Sequence, residues 1–262
     1  MLRDPLYIAG SEARQLDVMD SRWEMLLMRT EFHVHTKYSH DSVLGQWGLL
    51  IACKIRKVDC IAITDHNEIE GALSFRSFLG KHGIDVIVGE DIFTSEGEII
   101  GLFLSDKIEP GLSPENTIKE IRRQNGIVYV PHPYDEKRCG TVLSTSAQFR
   151  LAKEFDCMEV HNGRNVKREF SAKQEEIARA LNQMAVVGGD SHCGFEVGRN
   201  CCLTGDPFSR ESFCEVLNEA IFVTSGCHPF SHLATRMVRA MKMIAKGDIS
   251  GVCRILSRKL VS

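Results

Sequence analysis

Four short segments of this chain place imidazoles and carboxylates at the ends of apolar runs: His33-Val34-His35, Thr64-Asp65-His66, Pro131-His132-Pro133 and Asp190-Ser191-His192. Asp41 and Glu90 add two more carboxylates. Imidazole and carboxylate are donors that suit zinc, iron and manganese. The chemistry within reach is therefore hydrolysis assisted by two or three metal ions. Any one segment is a weak signal, because H-x-H pairs and turn aspartates are common in surfaces and cores. Their succession along one chain, each behind an apolar run, carries the reading.

In a strand, residues i and i+2 share a face, so His33 and His35 can grip one ion while Phe32 and Val34 pack on the other side. Asp41 lies in the polar loop Tyr38-Ser39-His40-Asp41-Ser42, where a turn aspartate is the plainer reading. Ile61-Ala62-Ile63 ends in Thr64-Asp65-His66. There His66 is the better ligand, and Asp65 is expected to orient a neighbouring histidine. Asp85-Val86-Ile87-Val88-Gly89 leads to Glu90, whose two oxygens could each bind one cation. Asp91 is the alternative, with its side chain on the opposite face. His132 stands between Pro131 and Pro133, whose fixed φ limits the backbone around that imidazole. Asp190 and His192 share a face after Gly188-Gly189.

The elements that must position these groups alternate in type. Short β-rich runs cover 31–35, 59–64, 84–89, 98–104, 127–131, 156–161 and 184–188, with helix-like stretches between several of them. Ser113-Pro114-Glu115 opens one helix and Asn125-Gly126 closes it. A second helix spans 166–183, and Glu96-Gly97-Glu98 suggests a hairpin. About seven strand–helix alternations favour an α/β barrel over an open sheet. Residues 1–29 read as a helical extension, with Leu16, Met19, Trp23, Leu26 and Leu27 at helical spacing between Glu12 and Met28. The barrel takes 30–205. A C-terminal extension takes 206–262, with a helix over 209–218, a strand over 220–224 and a basic helix over 232–246. The cations from Arg236 to Lys246 read as a solvated helix face, with contact to a polyanionic substrate as the rival.

A chain of 262 residues that is 43% apolar has ample material for one barrel. Its net charge of −3 argues against strong non-specific binding to nucleic acid or anionic lipid. Ten cysteines are scattered without C-x-x-C spacing, as expected of free thiols in a reducing cytoplasm. Met1 to Gly10 lacks a basic start followed by an apolar stretch, so no secretion signal is read there. No run approaches the roughly 20 apolar residues that span a bilayer, and no membrane partner is expected.

His33-Val34-His35, Asp41, Thr64-Asp65-His66, Gly89-Glu90, His132 and Asp190-Ser191-His192 together resemble the PHP (polymerase and histidinol phosphatase) family across about residues 31–200. The resemblance implies a distorted, TIM-like (β/α)7 barrel with a trinuclear site at its C-terminal rim. It also implies a phosphoesterase using manganese, iron or zinc. A first ion would take His33, His35, Glu90 and Asp190. A second would share Glu90 and use His132, completed by Asn162 with His161 as the rival. A third would take Asp41, His66 and His192. An activated water would attack phosphorus, with His66 or His192 protonating the leaving oxygen if not fully engaged as a ligand. Arg164, Arg138, Lys37 and Arg199 are candidate phosphate clamps. The expected substrate is a small phosphorylated molecule, with a short oligonucleotide second; four Tyr and two Trp offer few stacking platforms. A 5′–3′ exonuclease or oligoribonuclease and a non-catalytic metal-binding module are the rival functions.

Overall fold

Short apolar strands need partners on both sides, and here they find them by closing into a ring. The computed structural model describes residues 6–9, 27–138 and 140–252. Its strands are β1 (Leu6–Ala9), β2 (Met28–Val34), β3 (Cys60–Ile63), β4 (Asp85–Thr94), β5 (Gly97–Leu102), β6 (Ile127–Val130), β7 (Cys157–Asn162), β8 (Met184–Ser191), β9 (Cys201–Thr204) and β10 (Ile221–Thr224). Strands β2 to β8 pair in chain order and β8 returns to β2, making a closed seven-strand barrel. Its pairings are parallel except around β5, which folds back from β4 through a hairpin with Thr94 opposite Gly97. Gly97 has φ 126°, and a Cβ there would overlap the backbone of Val142 and Leu143. That hairpin is what distorts an otherwise parallel α/β barrel.

Helices α1 (Gln46–Arg56), α2 (Glu70–Gly80), α3 (Pro114–Arg123), α4 (Thr145–Arg150) and α5 (Arg168–Ala180) lie along the barrel connections. The chain then adds α6 (Phe213–Asn218) and α7 (Ser231–Ala245). The start of α3 shows the local logic: Ser113 caps it by accepting the Asn116 N–H at 3.3 Å, Pro114 fits the first turn, and Ile118 and Ile121 are buried. Asn125 ends it at φ 57°.

The C-terminal part extends the sheet rather than standing apart. β9 pairs antiparallel with the first half of β2, β10 with β9, and β1 runs parallel to β10. Phe32 of β2 meets Phe208 and Phe213 edge-on at 5.0 and 5.9 Å, which ties this extension to the core. Residues 6–9 are thus a strand, where a helical extension is expected over 1–29. The expected helix over 12–28 lies outside the described residues except at its end, where Met28 opens β2. The helix expected over 209–218 is confined to Phe213–Asn218. Among the described residues the cysteines are free thiols, and no helix is long and apolar enough to cross a membrane.

Candidate metal centre

The C-terminal ends of β2, β3, β4, β6, β7 and β8 open on one end of the barrel, where parallel barrels gather functional groups. His33 and His35 do face one site, with ring centroids 5.0 Å apart. Simple strand alternation is not the whole reason. β2 carries a bulge between its pairings at Glu31 and Val34, and His33 sits in it at φ 66°. His132 and Asp190 also have positive φ, 28° and 51°. Backbones of this kind cost on the order of 1–3 kcal/mol each and persist where the surrounding fold over-determines them. Three such residues point into one site.

Three corners of donors can be traced. At the first, His33 Nε2 lies 3.7 Å from Asp91 Oδ2 and 3.6 Å from Asp190 Oδ1, and His35 Nε2 lies 3.4 Å from Asp190 Oδ1. At the second, His132 Nε2 is 3.1 Å from Glu98 Oε2, next to His33 and Asp190. At the third, Asp41 is 3.3 Å from His192 Nε2 and 3.7 Å from His66 Nε2. Two donors each about 2.1 Å from one tetrahedral ion lie about 3.4 Å apart, so this spacing fits shared ions.

Glu90 is not part of this cluster. It is buried, but Oε2 accepts the Ile108 N–H at 2.8 Å, and burial pushes its pKa up to about 8. The next residue along β4 is on the other face, so Asp91 takes the place expected of Glu90, 3.1 Å from His66 Nδ1 as well as near His33. Glu98 is an unforeseen member, the carboxylate of the β5 arm of the hairpin; its signal is a charged residue within an apolar run, buried to 2% exposure. His161 leaves the site altogether, with Nδ1 at Ser171 Oγ and Nε2 donating to the Ser225 carbonyl. Asn162 lies at the site's edge, where Oδ1 accepts from Arg138 Nη2 at 3.2 Å and from the Arg164 N–H at 3.0 Å.

Two buried carboxylates organise the histidines. Glu159 Oε1 accepts from His33 Nδ1 at 2.7 Å and the Tyr129 hydroxyl at 2.6 Å. Its Oε2 accepts the His132 N–H at 2.7 Å and Asn162 Nδ2 at 2.8 Å. In the neutral ring that a metal ion requires, a proton held on His33 Nδ1 leaves Nε2 with its lone pair toward the site. Asp65 touches no ring directly. It accepts from the Thr36 backbone and hydroxyl, both at 2.6 Å, and from the Ser39 hydroxyl at 2.7 Å, while Ser39 Oγ meets His35 Nδ1 at 3.2 Å. Asp65 therefore acts on His35 through Ser39 and fixes the loop to Asp41. His192 Nδ1 lies 2.9 Å from the Asp190 carbonyl, which can only accept, so Nε2 is its free donor atom.

The field at these groups is strong. Burial would lower the His33 pKa, but the carboxylates of Asp190, Glu159 and Asp91 reverse that and raise it to about 10. Burial and the charges of His192 and His66 hold His35 well below its ordinary value. Burial opposes ionisation of Asp41 and Asp190, yet His192 and His66 for the one, and Arg138 and His33 for the other, keep both well below the usual carboxylate range. Within this tight packing, His33 Nε2, His35 Nε2, both His132 nitrogens, Asp41 Oδ1 and both Asp91 oxygens are buried without a hydrogen-bond partner. Buried polar atoms are rarely left unpaired, and orphans of both kinds converging on one volume fit divalent cations.

Of the expected phosphate clamps, Arg138 reaches the site, pairing through Nη2 with Asp190 and through Nε with Asp135. Arg164 is buried beneath α7 and donates to Thr235 Oγ1 at 2.7 Å. Arg199 binds the Gly226 carbonyl and Lys37 lies over the Tyr38 ring at 5.5 Å, so neither meets the donor cluster.

Comparison with known proteins places this geometry in context. The PHP domain profile matches residues 31–200. An uncharacterized protein of Methanocaldococcus jannaschii is 42% identical over 117 residues, covering 41% of this chain and 68% of that protein. A second from the same organism is 32% identical over 173 residues, covering 65% and 68%. Among solved structures, PsfC from Pseudomonas syringae superposes with TM-score 0.57 at 14% identity, over 84% of this chain and 99% of that one. A Bifidobacterium adolescentis protein assigned as a metal-dependent phosphoesterase gives 0.54 at 14%, over 72% and 95%. An amidohydrolase from Chromobacterium violaceum with bound sulfate gives 0.52 at 15%, over 80% and 96%. These structures share the fold.

Proposed function

Because the chain belongs to the PHP domain family, we propose that it is a metal-dependent phosphoesterase acting on small phosphorylated molecules. The observation that carries this reading is the set of partnerless buried donors, His33, His35, His132, Asp41 and Asp91, at one end of the barrel. Two or three ions, of manganese, iron or zinc by donor type, would be held by His33, His35, Asp91 and Asp190, by His132 with Glu98 and Asn162 beside it, and by Asp41, His66 and His192. Bound there, they supply Lewis acidity toward a phosphoryl oxygen and toward water. The chain's residues do the rest. Glu159 and Asp65 fix the orientation of His33 and His35. His66 and His192 both turn Nε2 to Asp41, which makes them ligands in preference to proton carriers. Arg138, touching Asp190 and Asn162, is the cation placed to meet a phosphoryl oxygen.

A short oligonucleotide is the second reading. It is favoured by the aromatic group Phe195, His228 and Phe230, with rings 4.5 and 5.7 Å apart, on loops at the same end of the sheet. The test is metal content by elemental analysis, run beside turnover of p-nitrophenyl phosphate, its bis ester, nucleoside monophosphates and a short RNA with added manganese. Two or three ions with monoester turnover is the expected result. Preference for RNA would favour the second reading, and absence of both metal and turnover would overturn the proposal.

A further inference from the structure

Helix α7 lies beyond the family match and straps across the mouth of the site. Three of its side chains hold it down. His232 Nε2 meets the Arg164 carbonyl at 3.2 Å, Thr235 Oγ1 accepts from Arg164 Nη2 at 2.7 Å, and Lys242 Nζ donates to the carbonyls of Lys37, at 2.9 Å, and Ser39. The anchors are the loop after β7, next to Asn162, and the loop after β2 that carries Asp41. Residues 232, 235, 239 and 242 fall at i, i+3, i+7 and i+10, one stripe of the helix. The opposite side is outward, with Leu233, Met237, Met241 and Ile244 exposed.

Arg239 therefore belongs to the inward stripe, between the two anchors, and its charge is felt at His40, beside Asp41. It is the member of the stripe left over: its Nε is buried without a hydrogen-bond partner, and among the described residues no carboxylate pairs with it. A guanidinium taken partly out of water calls for an anion. Arg138, the cation on the barrel side, has its charge balanced by Asp190 and Asp135, so Arg239 would add a second contact from across the mouth and is, among the described residues, the one of the two without a carboxylate of its own.

We propose that Arg239 is a specificity-determining residue that receives an anionic phosphoryl oxygen of the substrate across the mouth, selecting phosphate monoesters, with their second negative charge, over diesters. The inference rests on the phosphoesterase reading and adds a residue from outside the matched domain. Its test uses the full-length, metal-loaded protein and the variants Arg239→Gln and Arg239→Lys, with metal content and unfolding midpoint checked first. KM is measured for p-nitrophenyl phosphate and its bis ester, and inorganic phosphate is titrated by calorimetry. Loss of one charge-assisted contact is expected to raise the monoester KM and the phosphate Kd about tenfold in Arg239→Gln. The diester KM stays within about twofold on the same grounds, and Arg239→Lys recovers part of the loss. An unchanged phosphate Kd in Arg239→Gln, equal losses for both esters, or wild-type protein that binds no phosphate would overturn it. Phosphate binding that depends on Arg239 without turnover of either ester would sink the phosphoesterase reading and leave the anion site standing.

Discussion

Replacing Glu159 with Gln removes a charge while keeping the shape, and the structure says where the damage goes. The carboxylate accepts four hydrogen bonds, from Tyr129 and His33 at Oε1 and from the His132 N–H and Asn162 at Oε2. A Gln amide oxygen can serve one pair. The His132 N–H and the Asn162 amide can only donate, so the amide oxygen turns to them and its NH2 faces Tyr129 and His33. The Tyr129 hydroxyl can rotate to accept. His33 can accept only by moving its proton from Nδ1 to Nε2, the nitrogen that faces Asp91 and Asp190. The variant thus blocks a ligand without touching it. Hydrogen-bond partners of metal ligands are worth about 10–100-fold in affinity, or roughly 1.4–2.7 kcal/mol. An unsatisfied buried donor costs about 1–3 kcal/mol, which bounds the loss of fold stability. The assay is competition with a chromophoric chelator for manganese or zinc, with the unfolding midpoint of the stripped protein as a control. Metal affinity in Glu159→Gln within twofold of wild type would refute the reasoning.

Other outcomes follow from the same geometry. Asp91→Asn should lose bound metal and nearly all turnover while Glu90→Gln keeps both, read by elemental analysis and kcat; the reverse pattern would restore Glu90 to the site. Glu90 has its folded pKa raised to about 8 from an ordinary 4.5, so its contribution to stability is full below 4.5 and lost as pH rises through 8. Denaturant unfolding of Glu90→Gln should flatten that fall, leaving the variant more stable than wild type above pH 8. Chelation should lower the melting temperature and re-added metal restore it in a concentration-dependent way, because the ions bind the folded donors; a midpoint indifferent to metal counts against the centre. A Cβ at Gly188 would overlap the Glu159 carboxylate, so Gly188→Ala should weaken metal binding as Glu159→Gln does, in the same chelator assay.

The barrel was legible because its strands are short, apolar and each followed by a polar end, and the Ser113-Pro114 start of α3 speaks for itself in local chemistry. His33, His35, His66, His132, Asp190 and His192 were legible only together: one such group behind an apolar run is a weak signal, and their succession along the chain is what singled them out. What stayed hidden depends on facing. Glu90 and Asp91 are adjacent, and choosing between them requires the register of β4 against the hairpin, which sequence does not carry. His161 and Asn162 pose the same problem, resolved by an irregularity in β7 between Glu159 and His161. Glu98 and Glu159 do their work through contacts across the barrel, from residues distant in the chain. Arg239 looked like one more cation on a solvated helix until the anchors on either side of it fixed which way α7 faces.

β2 is also the place where the ring is joined. Its first half bonds β9 and its second half bonds β8, and the change of partner falls between Thr30 and Phe32, just before the bulge that holds His33. A cation gripped by His33 and His35 from β2, Asp190 from β8 and Asp91 from β4 would lace both margins of that join together. Loading the ion would then work as a clasp, and stripping it would loosen the barrel first at its seam. Amide exchange at the β2–β8 bonds should quicken on chelation while the β9–β10 ribbon keeps its pace. On this view the hoop that keeps the barrel round and the centre that does its chemistry are held by the same ion.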